Sequence, residues 1–229
     1  MSFITKEKSV ALYAALVSFG TYVFIFGFRK SFTVCTFEGM TFGPIAFKTA
    51  MVISQMLGYL MAKFYGIKFI SGLEKKNRYK IIFLLTGIAW AAWLLFAIVP
   101  APYSILFLFI NGFPLGMLWG VVFSYVEGRR STDFIGAALA VSFIFSAGWV
   151  KSVGAWLMLN FHITETWVPF CTGLVFALPL VLCVWGLEKV PPPSIEDEAL
   201  RAKRIPMTSA DRKLILKQYL MINFKKYYK

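Results

Sequence analysis

Residues 81–99 read IIFLLTGIAWAAWLLFAIV, and after Pro100-Ala101-Pro102 a second run follows at 103–125, YSILFLFINGFPLGMLWGVVFSY. Neither run contains a charged residue, and each exceeds the ~18 residues a helix needs to cross ~30 Å of hydrocarbon. The three-residue connection leaves room only for an antiparallel helical hairpin. On either side of this hairpin, further apolar runs at 10–37, 44–69, 135–160 and 168–187 bring the expectation to six transmembrane helices. The reading is an all-α integral membrane protein, with a six-helix bundle over 1–187 and a basic, partly helical cytoplasmic tail over 188–229. The first run is too long for the core of a signal peptide and lacks a small-x-small cleavage site.

Composition agrees: 59% of residues are hydrophobic and 15% charged, and the mean hydropathy is +0.69, outside the range of a soluble domain. The net charge of +13 suggests nucleic acid until its distribution is followed. With the amino terminus inside, Lys6, Lys8, Lys63, Lys68, Lys75, Lys76, Arg78, Lys80, Arg129, Arg130 and the basic residues after Glu188 all fall on the cytoplasmic side. The outer connections near 100–102 and 161–167 hold no lysine or arginine. This positive-inside bias puts both termini in the cytoplasm of a cell (plasma or inner) membrane and removes nucleic acid as a partner.

Gly112, Gly116 and Gly120 form a small-residue ridge on span four, suited to close helix packing or to a moving seam. Trp156, Trp167 and Trp185 fall near span ends, as in an aromatic belt. Cys35, Cys171 and Cys183 lie in apolar segments without metal-ligand spacing, and His162 is the single histidine, so neither metal nor cofactor is expected. Pro191-Pro192-Pro193 ends the membrane region. Ser194-x-x-Asp197 has the spacing of a capping box for a charged helix to about Arg204, and a second helix is expected from about Ala210.

Four cations resist assignment to either side: Arg29 and Lys30 late in span one, Lys48 early in span two, and Lys151 deep in span five. A cation inside the membrane implies a partner or a watery cavity. The spans offer no clear acidic partner, since Glu38 and Glu165 sit in outer connections and Glu127 and Asp133 on the opposite side. Arg29 and Lys30 either mark the end of span one or, if that helix continues to Phe37, face a cavity. The expected ligand is an anion from solution, with Arg29 as principal contact and Lys30, Lys48 and Lys151 supplying field. Tyr22 and Asn111 are candidate hydrogen-bond donors to it. No His/Asp/Glu cluster supports catalysis, so an enzyme is not expected.

Two stretches resemble known motifs. Gly58-Tyr59-Leu60-Met61-Ala62-Lys63-Phe64-Tyr65-Gly66-Ile67-Lys68 is similar to the G-x-x-x-D-[R/K]-x-G-[R/K]-[R/K] pattern in the loop between helices two and three of the major facilitator superfamily. Ala62 stands in the place of the acid, and one residue is added before Gly66. Together with six spans and both termini inside, the chain resembles the amino-terminal half of such a transporter, a fold with its substrate site between two six-helix halves. By that resemblance Gly58, Lys63, Gly66 and Lys68 belong to a gating loop, and the tail corresponds to the central cytoplasmic loop. Tyr22-Val23-Phe24-Ile25-Phe26-Gly27-Phe28-Arg29-Lys30-Ser31-Phe32 resembles the first helix of the organophosphate:phosphate antiporters, in which the arginine binds phosphate. Ser124-Tyr125-Val126-Glu127-Gly128-Arg129-Arg130 is similar to that family's Ser-x-x-Glu-x-Arg run, but the family's fifth-helix histidine has no counterpart here. The closest likeness overall is to bacterial superfamily members of unknown substrate.

The expected function is secondary transport of a small organic or phosphorylated anion by alternating access, with a second six-helix half or a second copy as partner. The alternatives are a truncated transporter fragment without independent activity and a membrane scaffold or receptor.

Overall fold

The computed structural model describes residues 3–73, 77–194, 197 and 214. Six helices make up nearly all of it: α1 Phe3–Lys30, α2 Phe47–Ser71, α3 Arg78–Ile98, α4 Ile105–Phe123, α5 Thr132–Phe161 and α6 Val168–Glu188. The chain is an all-α multi-pass membrane protein. Five of the helices are long and apolar enough to cross a bilayer by length and composition. The remaining one, α2, is equally long but carries Lys48, Gln55, Lys63 and Lys68 along its length.

The expected spans coincide with the helices to within a few residues, except at α1, which starts at Phe3 and ends at Lys30 where 10–37 was expected. There the helix stops at Lys30, tightens into a 3-10 turn over Ser31–Val34 and continues as loop. The apolar residues after it, Phe32, Cys35 and Phe37, do not extend the helix. They fold over the end of the bundle and pack with Phe47, Met51, Trp93, Phe96 and Leu108. Burial of these rings outweighs continuation of the helix, which would send them past the bundle. A two-residue hairpin, β1 Thr41–Phe42 and β2 Ile45–Ala46, completes the connection. Gly43 takes φ +59° at its tip, as a tight hairpin turn demands.

Neighbouring helices run antiparallel. The ends of α1, α3 and α5 share one end of the bundle with the starts of α2, α4 and α6, where Phe37, Phe47, Trp93, Leu108, Met158 and Val168 meet. The closest pairs, however, are parallel: α1 with α5 and α2 with α4, followed by α3 with α4 and α1 with α6. Exchanging helices one, two and three for four, five and six turns the first pair into the second and the third into the fourth. That is the pairing expected of two inverted three-helix repeats.

The α2–α4 seam depends on absent side chains. A Cβ on Gly58 would collide with the Phe109 carbonyl, one on Gly112 with the Gln55 carbonyl, and one on Gly116 would lie 2.6 Å from the Ala62 Cβ. The ridge of span four is thus a packing face for α2, holding the two backbones in contact.

At the opposite end of the bundle, Tyr125 donates to Glu188 and the Arg129 guanidinium to the Pro191 carbonyl. The capping box is present. The Ser194 N–H and hydroxyl both donate to Asp197 Oδ2 at 2.9 Å, and the Asp197 N–H donates back to Ser194 Oγ at 3.2 Å. Asp197 Oδ1 also accepts the Arg130 N–H at 2.9 Å, tying the segment after α6 to the α4–α5 connection. The helices expected from 198 to 204 and beyond 210 lie outside the described residues, Leu214 apart.

Candidate anion-binding site

Ending α1 at Lys30 frees the carbonyls of its last turn, which inside a bundle must find donors. Each finds one. Phe28 O accepts the Trp93 indole N–H at 2.5 Å and Asn111 Nδ2 at 3.0 Å, and Arg29 O accepts Gln55 Nε2 at 2.7 Å. Thr33 Oγ1 donates to Lys30 O at 2.6 Å, while Lys48 Nζ donates to Thr33 O at 3.0 Å and to Cys35 O at 2.5 Å. Gln55 Nε2 also donates to Asn111 Oδ1 at 2.8 Å, and Asn111 Nδ2 to Ala89 O at 2.9 Å. Gln55 and Asn111 are both buried. Side chains from α2, α3 and α4 therefore fix the backbone from which Arg29 projects.

The Arg29 side chain itself meets aromatic rings. Its guanidinium carbon lies 4.1 Å from the centroid of Tyr59 and 5.9 Å from that of Phe26. Its Nε is buried without a hydrogen-bond partner among the described residues. The same Tyr59 ring carries a second cation, Lys63 Nζ, at 4.7 Å. Helical side chains lean toward the amino terminus of their helix, and α1 and α2 run oppositely. Arg29 and Lys63 therefore approach Tyr59 from opposite directions along the bundle. Neither meets a carboxylate among the described residues.

The residues that the resemblance assigns to a gating loop, Gly58, Lys63, Gly66 and Lys68, all lie within α2, in the span expected at 44–69. The apolar residues among the lysines, together with the glycine seam on α4, keep the segment helical to Ser71. Gly58 is a seam residue, whereas a Cβ on Gly66 would lie 3.5 Å from the Met117 side chain. Lys63, two helical turns before the end of α2, thus belongs beside Arg29 and not in a connection. Gln55, Tyr59 and Lys63 stand at four-residue intervals, a polar stripe on one side of an otherwise apolar helix. That spacing was the available signal for the site.

The other expected contacts divide. Lys30 is half-buried, its Nζ 5.7 Å from the Phe32 ring. Lys48 is committed to backbone carbonyls, so its role is to close the α1 end. Asn111 is wholly buried with its amide group in the network, which corrects its assignment as a ligand-facing donor. Tyr22 is buried against Phe143, with ring centroids 4.8 Å apart. Lys151 is exposed on α5. Because α5 runs parallel to α1, with Phe143 beside Phe26 and Gly154 beside Ser31 and Val34, it stands at the height of Arg29 and Lys30. No contact joins it to the Tyr59 cluster.

Glu165, in the α5–α6 connection, is a further functional element beside this end. Its carboxylate accepts the Thr36 N–H at 2.7 Å, the Thr36 hydroxyl at 2.9 Å and the Phe37 N–H at 2.7 Å. Burial works against its charge. The hydrogen bonds from Thr36 and Phe37 and the nearby Lys48 more than offset this and hold the carboxyl below its ordinary value.

No curated protein and no solved structure matches the chain. A family match extends from residue 31, just past the Arg29-Lys30 pair, to residue 224. It takes in Lys48, the Gln55–Tyr59–Lys63 stripe, Asn111 and Lys151. With most of its length inside that match, the chain belongs to the family described as Family of unknown function (DUF5690).

Proposed function

We propose that this protein is a secondary transporter, or one half of one, that carries a small organic anion across a membrane by alternating access. The observation that supports this most is the Arg29–Tyr59–Lys63 cluster. Two cations sit on one neutral ring, Arg29 half-buried and Lys63 exposed, without a carboxylate among the described residues. A solute anion would supply the missing charge, with Arg29 as bidentate ligand and Lys63 as second contact. The aromatic ring holds both cations in the meantime through weaker cation–π attraction.

The pairing of α1 with α5 and α2 with α4 fits the amino-terminal half of a major facilitator superfamily carrier, where such bundles rock against a partner bundle. The partner would be a second six-helix half or a second copy of this chain. The concentration of Lys8, Arg78, Lys80, Arg129, Arg130 and Lys189 at the end shared by the start of α1 and the end of α6 fits a cytoplasmic location for that end in a cell membrane. The role is that of a carrier and not of an enzyme.

Uptake into proteoliposomes from a panel of carboxylates, sugar phosphates and inorganic phosphate tests the reading. Arg29→Gln is expected to reduce flux of the accepted solute at least about tenfold, the loss of one charge-assisted contact. Flux that is absent throughout the panel, or equal in the variant, would remove the proposal.

A further inference from the structure

The same cluster says what kind of anion fits it, and this inference rests on the transport reading above. We infer that the site selects a doubly charged small organic anion, with its two negative groups set at either end of a short carbon spine, over a singly charged one of equal length. Three features carry this. First, there are two uncompensated cations, Arg29 and Lys63, at 4.1 and 4.7 Å from one ring centroid. A single negative charge leaves one of them unmatched, whereas two charges satisfy both, Arg29 from a half-buried position and Lys63 from an exposed one.

Second, the cations differ in shape and arrive from opposite directions. Arg29 comes from the last turn of α1, with its backbone locked by Gln55, Asn111 and Trp93. Its planar fork suits a carboxylate or phosphate approached edge-on. Lys63 comes from α2 on a flexible stem and acts as a point charge. The ligand's charges are therefore arrayed along the bundle axis, one for each cation.

Third, what lies between the cations is apolar. The Tyr59 ring is the shared surface, with the Phe26 ring beside Arg29. A carbon spine packs against such a ring, whereas an inorganic ion has no apolar surface to lay on it. Lys48 and Asn111 add nothing to this count, because their polar groups are already used on backbone carbonyls and on Gln55.

Calorimetric titration of the purified full chain in detergent with butyrate and with succinate, four-carbon acids of one and two charges, tests the inference. The native chain is expected to bind succinate at least tenfold tighter than butyrate. Lys63→Gln, an exposed substitution that leaves the helix seam intact, should bring the two affinities within about twofold of each other, and Lys63→Arg should restore the preference. Arg29→Gln should abolish binding of both. An unchanged succinate-to-butyrate ratio in Lys63→Gln, or no preference in the native chain, overturns the inference while leaving an Arg29-dependent carrier in place. Loss of binding in Lys63→Gln with an unchanged melting temperature also overturns it, because Lys63 would then serve binding itself and not charge selection. Absence of any Arg29-dependent anion binding or flux across the carboxylate and phosphate panel defeats the carrier reading as well.

Discussion

Gln55 and Lys48 do for the end of α1 what a capping residue does in a soluble helix, but they do so from a neighbouring helix. Gln55 serves two acceptors, Arg29 O and Asn111 Oδ1. Gln55→Leu fits the space and leaves both buried acceptors without that donor, so it should destabilise the fold by about 1–3 kcal/mol. Thermal unfolding in detergent, compared with the native chain, measures it. Lys48→Gln should likewise lower the melting temperature, since one ammonium holds the carbonyls of Thr33 and Cys35. Its affinity for an anion should stay within about twofold of native, by titration; a larger loss would make Lys48 a ligand after all. Arg29 stood out in the sequence because a cation after so many apolar residues has few uses. Gln55 and Tyr59 did not, because uncharged polar groups in a span look like ordinary interior residues until their neighbours are known.

Helices α2 and α4 meet backbone to backbone, and this sets how each glycine responds to substitution. Gly112→Val would drive side-chain atoms into the Gln55 carbonyl and should lower stability by about 1–3 kcal/mol or prevent accumulation of folded protein. Gly66→Ala meets the Met117 and Ile70 side chains at ordinary contact distances of 3.5 and 3.9 Å and should change the melting temperature little. Equal behaviour of the two variants in a detergent melt would contradict the seam. Most of the element map was legible in the sequence, because runs such as 81–99 and 168–187 have one physical use. The misreading at the end of α1 has a plain cause: residues 32–37 are apolar but cover the bundle's end. Hydropathy reports what a residue avoids and says nothing of which partner shields it.

Across the molecule, one carboxylate at each end fastens a connection between helices distant in sequence: Glu165 holds Thr36 and Phe37, and Asp197 holds Arg130. Glu165 ionises more readily folded than unfolded. Its contribution is therefore complete above the ordinary carboxyl value of 4.5 and declines as pH falls through the lower folded value. The melting temperature should drop on acidification across that window, and Glu165→Gln should flatten this part of the profile. An identical acid limb in both proteins would place the titration elsewhere. The site could be read only halfway from sequence: Arg29 was visible, but Lys63 falls by sequence among the cytoplasmic charges, and the Tyr59 ring it shares with Arg29 shows only in the packing of α2 on α1.

The pairing of α1 with α5 and of α2 with α4 also bears on how the chain is built. As the ribosome delivers α1, α2 and α3, their best partners have yet to be synthesised, so the early helices must wait in lipid, loosely associated. Tight assembly begins with α4 and is finished only when α5 and α6 arrive. Two fragments divided at Ala101-Pro102 and produced together should therefore find each other and co-purify as one complex, while either produced alone should be degraded. Recovery of a stable, folded 1–101 fragment by itself would show that the first three helices need no such rescue.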